Sequence, residues 1–203
     1  MSERRKIILV RHGERQDNID PTWKKTAIRS DDPPLRGTWS FQRGKKQADD
    51  VGIALATTQF EAVYCSPFSR TIETAAVIVS HIGENGVRVE PGVAEPLGAS
   101  NIPPGFPNDD ERRRLCPLVD MHYVPVFPSL TPFDDDLSLG DAGCFRRVAR
   151  TVDAILQNTN DANILIVSHG VTLAAVSLHL VGRWNYGGLC SITILELGTS
   201  GWE

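Results

Sequence analysis

The stretch IILVRHGE, at residues 7–14, joins an apolar segment directly to a group of polar side chains. Four consecutive apolar residues bounded by polar ones are typical of a strand that is buried on both faces of a parallel sheet. Gly13 lets the chain turn sharply after this strand and brings the backbone close to a ligand. We therefore expect Arg11 and His12 at the carboxyl end of a strand, which is where open α/β sheets bind their ligands.

A second stretch, ILIVSHG at residues 164–170, repeats this arrangement. An apolar segment again ends in a histidine followed by a glycine, here His169 and Gly170. The carboxyl ends of parallel strands lie at the same edge of a sheet, so the two segments predict one site that contains a pair of imidazoles.

The size and charge of the chain limit the number of domains it can form and the kinds of partner it can bind. Its 203 residues fit one domain, which we expect to span residues 1–203, and its 41% hydrophobic and 23% charged content is ordinary for a globular protein. The net charge of −4 argues against a general attraction to nucleic acid or anionic lipid. No apolar run reaches the roughly 18 residues that span a bilayer, and the first six residues lack the apolar core of a secretory signal. We expect a cytoplasmic protein with no nucleic-acid or membrane partner.

The cysteines show no paired spacing. We therefore predict free thiols rather than disulfides or a zinc site at Cys65, Cys116, Cys144 and Cys190.

Strands and helices alternate along the sequence. Hydrophobic periodicity predicts strands at 6–10, 61–65, 87–90, 163–168 and 191–197, and helices at 45–57, 70–82, 143–157 and 171–181. A polar loop is expected over residues 14–43. This order predicts an α/β fold with a mostly parallel central sheet and helices on both of its faces. The last strand could form an edge that pairs with a second subunit, which would give a homodimer.

Nine of the thirteen prolines lie within residues 91–132. Proline removes backbone donors and stops helices, so we predict that residues 91–140 form an insert or lid over the site, with one helical stretch near 109–115. We expect solvent-exposed positions for the acidic run Asp134–Asp136 and for the arginines of the following helix, Arg146, Arg147 and Arg150.

A third strand end adds another cation to the predicted site. The strand at 61–65 runs into Ser66 and Pro67, which places Arg70 at the start of a helix. Guanidinium groups bind phosphate through paired donors, and a helix amino terminus adds backbone N–H groups. With Arg11 and Arg15 nearby, such a pocket favours phosphate over a metal ion, and we expect neither a metal nor a cofactor.

The same residue types indicate acid–base and nucleophilic chemistry. Glu95, at the start of the proline-rich segment, could protonate a leaving oxygen, and Glu14 and Glu90 are alternatives on composition alone. A histidine can act as the nucleophile if one ring nitrogen is unprotonated and the other donates to a fixed acceptor. A cysteine nucleophile is disfavoured, because four residues separate Cys65 from Arg70 where cysteine-based tyrosine phosphatases have five.

The ordered set of these residues resembles the histidine phosphatase superfamily, which includes the cofactor-dependent phosphoglycerate mutases. The matching segments are Arg11–Glu14, Ser66–Arg70, Glu95 and Ser168–Gly170. Within it, the chain is similar to the phosphatase domain of the ubiquitin-associated regulators of T-cell signalling and of ecdysteroid-phosphate phosphatase, in segments that include 10–17, 32–35, 88–92, 123–128 and 164–170. We expect a stand-alone catalytic domain without the amino-terminal modules of those regulators.

The resemblance implies a phosphoglycerate mutase-like fold and a histidine acid-type phosphatase, a phosphoric monoester hydrolase that works through phosphohistidine without a metal. His12 would accept the phosphoryl group, and Glu95 would act as general acid and then as general base. The residues implied to hold the phosphate are Arg11, Arg15, Asn18, Arg70 and His169. Three of them, Arg11, Arg70 and His169, would also stabilise the reacting phosphoryl group.

The sequence leaves the substrate open among phosphotyrosine proteins, steroid phosphates and small metabolites. Two other functions are kept as alternatives. One is a phosphoglycerate mutase or sugar-bisphosphate phosphatase, and the other is a catalytically weak module that binds phosphorylated ligands.

Overall fold

The computed structural model describes residues 4–35, 43–83, 86–99, 101, 104–159 and 162–203. Within these residues the strands are β1 (Lys6–Arg11), β2 (Ala62–Cys65), β3 (Val87–Val89), β4 (Ile164–Ser168), β5 (Ile192–Gly198) and β6 (Gly201–Trp202). The α-helices are α1 (Arg43–Leu55), α2 (Ser69–Ile82), α3 (Asp109–Leu115), α4 (Phe145–Gln157) and α5 (Gly170–Val181). Short 3-10 helices occupy Gln16–Asn18, Trp23–Lys25, Pro91–Val93, Leu97–Ala99 and Leu137–Cys144.

The strands form one sheet in the order β3-β2-β4-β1-β5-β6. The first four are parallel to one another, whereas β5 is antiparallel to β1 and β6 is antiparallel to β5. The predicted mostly parallel sheet is therefore confirmed. The register places Arg11 beside Ser168 and Cys65 beside Val167. The carboxyl ends of β1, β4 and β2 thus lie side by side at the same end of the sheet.

Helices cover both faces of this sheet, as the sequence predicted. Along β1, Ile8 and Val10 pack in one core cluster with residues of α1 and α2. Ile7 and Leu9 pack on the opposite face in a second cluster with residues of α4 and α5. Burial of one such side chain stabilises the fold by roughly 1.5–3 kcal/mol, which explains why the positions between the ends of β1 and β4 are apolar.

The predicted elements differ from the structure mainly at their ends. Helix α4 begins at Phe145 rather than 143, because the preceding residues form the 3-10 helix that ends at Cys144. The predicted loop 14–43 contains two 3-10 helices and a β-bridge between Arg15 and Leu35, and its residues 36–42 lie outside the described part of the chain. The two-residue strand β6 was not predicted.

Arg147 is buried, so the prediction that it faces solvent was wrong. Its side chain is 1% exposed and forms a two-pronged ion pair with Asp135, with Nε 2.7 Å from Oδ1 and Nη2 3.0 Å from Oδ2. The remaining donors bond the carbonyl oxygens of Gly92 at 2.9 Å, Ala94 at 3.2 Å and Glu95 at 3.3 Å. The helix period turns Arg147 inward, while Arg146 and Arg150 are exposed as predicted.

Asp135 is buried as well, which corrects the prediction of a solvated acidic run. Its Oδ2 accepts a hydrogen bond from the backbone N–H of Leu97 at 2.8 Å in addition to those from Arg147. A buried charge is tolerated only when it is paired and hydrogen-bonded, and Arg147 and Asp135 meet that condition together. The pair fixes the backbone of residues 92–97, and with it the position of Glu95.

Among the residues that the structure describes, none of the helices has the length and the apolar content that crossing a bilayer requires.

We expect Arg147→Ala to lower the free energy of unfolding by about 3 kcal/mol or more, because it leaves Asp135 as an unpaired buried charge. Arg146→Ala is the matched control, since Arg146 is the exposed neighbour on the same helix. Urea unfolding of both variants would measure the difference. Equal stabilities would show that the buried pair contributes nothing to the fold.

Candidate active site

The turn after β1 is held by two helices. The Gly13 N–H donates to Thr74 Oγ1 of α2 at 3.2 Å, and the Glu14 N–H donates to Gln47 Oε1 of α1 at 2.9 Å. A side chain at position 13 would bring its Cβ to 2.6 Å from the carbonyl oxygen of Gly44, so only glycine allows α1 to approach this closely. The turn is therefore fixed before any ligand binds.

His12 is held in one tautomer. Its ring is 3% exposed, and Nδ1 lies 2.8 Å from the carbonyl oxygen of Gly13. A carbonyl oxygen only accepts hydrogen bonds, so Nδ1 carries the hydrogen and the neutral ring keeps a lone pair on Nε2. This is the state that a histidine nucleophile needs.

His169 lies directly beside His12, with ring centroids 5.3 Å apart. Its Nε2 is 2.7 Å from Ser66 Oγ, and its Nδ1 is 3.3 Å from Nη2 of Arg70. Because a guanidinium only donates, Nδ1 is the acceptor and the Nε2–H donates to Ser66. The structure thus brings together the two histidines that follow β1 and β4.

Both imidazoles are held neutral. Burial is the main reason that the pKa of each lies well below its usual value of 6.5, and the charge of Arg70 lowers both further. Arg11 and Arg15 act on both rings in the same direction. The pocket is therefore cationic through its arginines and not through its histidines.

Arg70 is the buried cation of the site. It lies in the first turn of α2, is fully buried, and stacks on the Phe68 ring with Cζ 4.4 Å from the centroid. Its Nη2 bonds Glu95 Oε2, and its Nη1 lies 3.7 Å from Asp32 Oδ1. Nε and Nη1 have no hydrogen-bond acceptor within the described residues. Burial lowers the pKa of Arg70, whereas Glu95 and Asp32 raise it.

Arg11 is a second cation beside the imidazoles, and its charge lowers the pKa of both. Its Nη1 donates to Tyr186 Oη at 2.9 Å and to the Gly187 carbonyl oxygen at 3.1 Å. The guanidinium lies against Gly170, where an added Cβ would be 3.3 Å from Cζ. Its buried Nε makes no hydrogen bond to any described residue. Together, Arg70 and Arg11 thus have three buried N–H groups that make no hydrogen bond to a described residue. A bound oxyanion could accept hydrogen bonds from these groups.

The other predicted phosphate contacts lie further out. Arg15 forms a two-pronged ion pair with Asp17, with both hydrogen bonds at 2.9 Å. Its charge still acts on both histidines. Asn18 is exposed at the end of a 3-10 helix, and its side chain makes no hydrogen bond within the described part of the chain. Arg15 therefore contributes to the site through its charge, whereas the exposed Asn18 makes no hydrogen bond to the described residues of the site.

Of the candidate carboxyl groups, Glu95 lies in the pocket. Its Oε2 bonds Arg70 and is 4.0 Å from Nδ1 of His169, while its side chain is 22% exposed. Glu90 is fully buried, and its carboxylate accepts hydrogen bonds from Tyr123 Oη and from backbone N–H groups at residues 92, 126 and 127. Glu14 forms an ion pair with Arg43 at 3.6 Å.

Two further residues, Ser66 and Asp32, belong to this site, although the sequence analysis assigned a role to neither. Ser66 orients His169, as described above. Asp32 is 4% exposed, with Oδ1 2.7 Å from the Ser69 N–H and Oδ2 2.6 Å from Ser69 Oγ. Burial raises the pKa of Asp32. The two prolines after Asp32 indicate a turn, but nothing in that pattern shows that the turn folds inward against α2.

The remaining reactive side chains lie outside the site. His81 pairs with Asp49 and His179 with Asp153, and His122 is exposed. The four cysteines are free, as predicted, and burial raises the pKa of Cys65, which disfavours a thiolate nucleophile. No group of three or more metal-ligating side chains comes together within the described ranges.

Solved structures with the same fold include two relevant examples. Ecdysone phosphate phosphatase of Bombyx mori, solved in complex with tungstate, gives a TM-score of 0.75 at 23% identity and covers 98% of this chain and 91% of that one. A phosphoglycerate mutase of Bacillus anthracis gives a TM-score of 0.62 at 17% identity over 98% of this chain and 90% of that one. The predicted phosphoglycerate mutase-like fold is confirmed.

Curated relatives are similar over most of the chain. Ecdysteroid-phosphate phosphatase of Drosophila melanogaster is 29% identical over 89% of this chain and 27% of its own length. Ubiquitin-associated and SH3 domain-containing protein A of Homo sapiens is 27% identical over 88% of this chain and 31% of its own length. The chain thus spans less than a third of each of these two relatives.

The family model of the histidine phosphatase superfamily (branch 1) matches residues 7–99 and 142–203. These two segments include β1, β2 and β4, from which the histidines and Arg70 are presented. The chain belongs to the histidine phosphatase superfamily.

Proposed function

We propose that this protein is a metal-independent phosphomonoesterase that transfers the phosphoryl group of its substrate to His12. The observation that carries the proposal is the neutral His12 ring, with its lone pair on Nε2, next to the buried donors of Arg70 and Arg11. Membership of the family and relatives named as phosphatases support this activity over that of a mutase.

In the first step, Nε2 of His12 attacks phosphorus and the bond between phosphorus and the ester oxygen breaks. In the reacting complex the phosphoryl oxygens would take the place of Glu95 at Arg70, which leaves Glu95 protonated; it passes this proton to the ester oxygen, so the leaving group departs as an alcohol. In the second step, the Glu95 carboxylate takes a proton from water while the water oxygen attacks phosphorus. Phosphate leaves, His12 returns to its starting state and Glu95 is protonated again.

The arginines supply the electrostatic part of the reaction. Arg70 and Arg11 would donate to the phosphoryl oxygens, whose charge is spread over three atoms in the transition state. Because these donors are buried and already in place, they need little reorganisation when the reaction occurs. His169, Arg15 and Asn18 stay predicted phosphate contacts, and Asn18 would reach the phosphate only if its loop closed.

We also propose that residues 91–140 act as a lid. Leu97, Phe127 and Leu130 from this segment pack in one cluster with Phe68, and the Phe68 ring lies 5.2 Å from that of His169. The segment therefore contacts the candidate site through Phe68, which lies beside His169, and through its own Glu95, which bonds Arg70.

Two further expectations concern the protein as a whole. A cytoplasmic location fits the four free cysteines. The strand predicted as the sheet edge, β5, pairs at its carboxyl end with β6, which was not predicted; a homodimer would use the exposed Ile192 and Ile194 nearer the start of β5.

We expect His12→Ala to lower kcat toward an aryl phosphate by about a thousandfold or more, because the nucleophile is lost. His179→Ala is the control, since His179 pairs with Asp153 at the surface. Initial rates on p-nitrophenyl phosphate, with circular dichroism to verify folding, would measure both. A folded His12→Ala variant with near-normal turnover would refute the proposed mechanism.

The neutral imidazoles also predict how stability depends on pH. The unfolded chain takes up a proton on each histidine as the pH falls through 6.5, whereas buried His12 and His169 do not. The unfolded state then binds more protons, so the free energy of unfolding decreases below pH 6.5, by up to about 1.4 kcal/mol per pH unit for each histidine. Above pH 6.5 this stability is fully present.

Urea unfolding at about pH 7.5 and about pH 5.5 would test this for the natural chain and for His12→Gln. The variant is expected to lose about 1 kcal/mol less on acidification, because one of the two buried imidazoles is gone. An identical loss in both proteins would show that His12 is not held neutral by the fold.

A further inference from the structure

The loop between α5 and β5 holds Arg11 by its side chain and by its backbone. Tyr186 Oη and the Gly187 carbonyl oxygen accept hydrogen bonds from the guanidinium, at 2.9 Å and 3.1 Å. The backbone N–H of Cys190 donates to the Arg11 carbonyl oxygen at 3.1 Å, and the Arg11 N–H donates to the carbonyl oxygen of Ser191 at 3.3 Å. This loop, to which the sequence patterns assign no role, is therefore bonded to a residue of the candidate site.

The backbone of this loop is restricted at two positions. Cys190 has a φ of +53°, in the left-handed region that few residues other than glycine adopt. A Cβ at Gly187 would lie 2.2 Å from Ser191 Oγ and 2.9 Å from Ser191 Cβ, so glycine is needed for the loop to pack on itself here. Unfavourable backbone conformations persist where surrounding contacts fix them, and at Cys190 these contacts include the bond to Arg11.

Burial does not explain the position of Tyr186. This residue is 74% exposed, and its ring meets that of Trp184 edge-on with centroids 5.9 Å apart. The Cζ atom of Arg11 lies 5.5 Å from the centroid of the Tyr186 ring. Hydrogen bonds from a charged donor are stronger than neutral ones, so the bond from Arg11 gives this exposed side chain a defined position.

The side-chain acceptors around Arg11 are uncharged. Within the described part of the chain, Arg11 forms no ion pair. Arg70, by contrast, pairs with Glu95, and Arg15 pairs with Asp17. A phenol oxygen and a carbonyl oxygen fix the direction of a guanidinium without cancelling its charge, as a carboxylate would. Arg11 thus keeps its full charge, while its buried Nε has no acceptor among the described residues.

We infer that Tyr186 is a positioning residue for Arg11. By accepting a hydrogen bond from Nη1, it orients the guanidinium so that the buried Nε is free to donate to a phosphoryl oxygen. Tyr186 acts through Arg11 and does not touch the phosphate itself. The inference deepens the phosphomonoesterase activity proposed above and rests on one part of it, namely that Arg11 binds phosphate.

Tyr186→Phe removes the acceptor and keeps the ring. We expect its dissociation constant for inorganic phosphate, measured by titration calorimetry, to rise about fivefold, because a hydrogen bond that orients the cation is lost. The value of kcat/KM for p-nitrophenyl phosphate should fall by a similar factor. The midpoint of urea unfolding should stay at that of the natural chain, since an exposed phenol contributes little to folding.

Asn185→Ala is the matched control, because Asn185 is the exposed neighbour of Tyr186 in the same loop. It should bind phosphate as the natural chain does. The decisive comparison uses an Arg11→Ala background. There Tyr186→Phe should change neither the phosphate affinity nor kcat/KM, because the residue through which it acts is absent. Arg11→Gln provides a second such background, and circular dichroism verifies that each variant is folded.

An unchanged phosphate affinity in Tyr186→Phe would overturn the inference. An equal loss of affinity in the absence of Arg11 would overturn it too, as would a natural chain that binds no phosphate. Turnover of p-nitrophenyl phosphate by the natural chain tests the proposed activity separately. If turnover were absent while the phosphate affinities followed the expected pattern, the proposed activity would fail and the role of Tyr186 would stand. If turnover were present but Tyr186→Phe changed nothing, only the role of Tyr186 would fail.

Discussion

The burial of Arg70 against an aromatic ring, two carboxylates and the imidazole of His169 is the constraint on which the site depends. A buried guanidinium is costly unless charges and acceptors compensate it. Glu95 and Asp32 supply the charges, yet Nε and Nη1 still have no acceptor among the described residues. The same cation, together with burial, holds both histidines neutral. The positive charge of Arg70 thus favours the binding of an oxyanion. It also helps to keep the His12 ring neutral, so that the lone pair of the proposed nucleophile stays available.

This arrangement is held by parts of the chain that are distant in sequence. Asp32 bonds the backbone and hydroxyl of Ser69 just before Arg70, and Thr74 of the same helix bonds the Gly13 N–H. On the other side, Arg147 and Asp135 fix the backbone that carries Glu95. The proposed acid and the proposed nucleophile are therefore positioned by two separate networks. Arg70, which bonds the carboxylate of Glu95 and contacts His169, is the link between them.

Much of this could be predicted because it follows from local pattern. The apolar runs before His12 and His169 specify buried parallel strands, and neighbouring strands bring their ends together. The roles of Arg147, Asp135 and Asp32 could not be predicted, because arginine and aspartate in polar segments are usually solvated. Whether they are buried depends on partners 12 to 56 residues away, such as the carbonyl groups of residues 91–95.

The state of the His12 ring is the most direct test of this account. Nitrogen–proton correlation NMR of the imidazoles, recorded at about pH 6, distinguishes the two neutral tautomers from the cation. We predict that His12 is neutral, with the hydrogen on Nδ1 and a free lone pair on Nε2. A cationic ring at that pH, or a hydrogen on Nε2, would contradict the proposed nucleophile and the electrostatic origin of its reactivity.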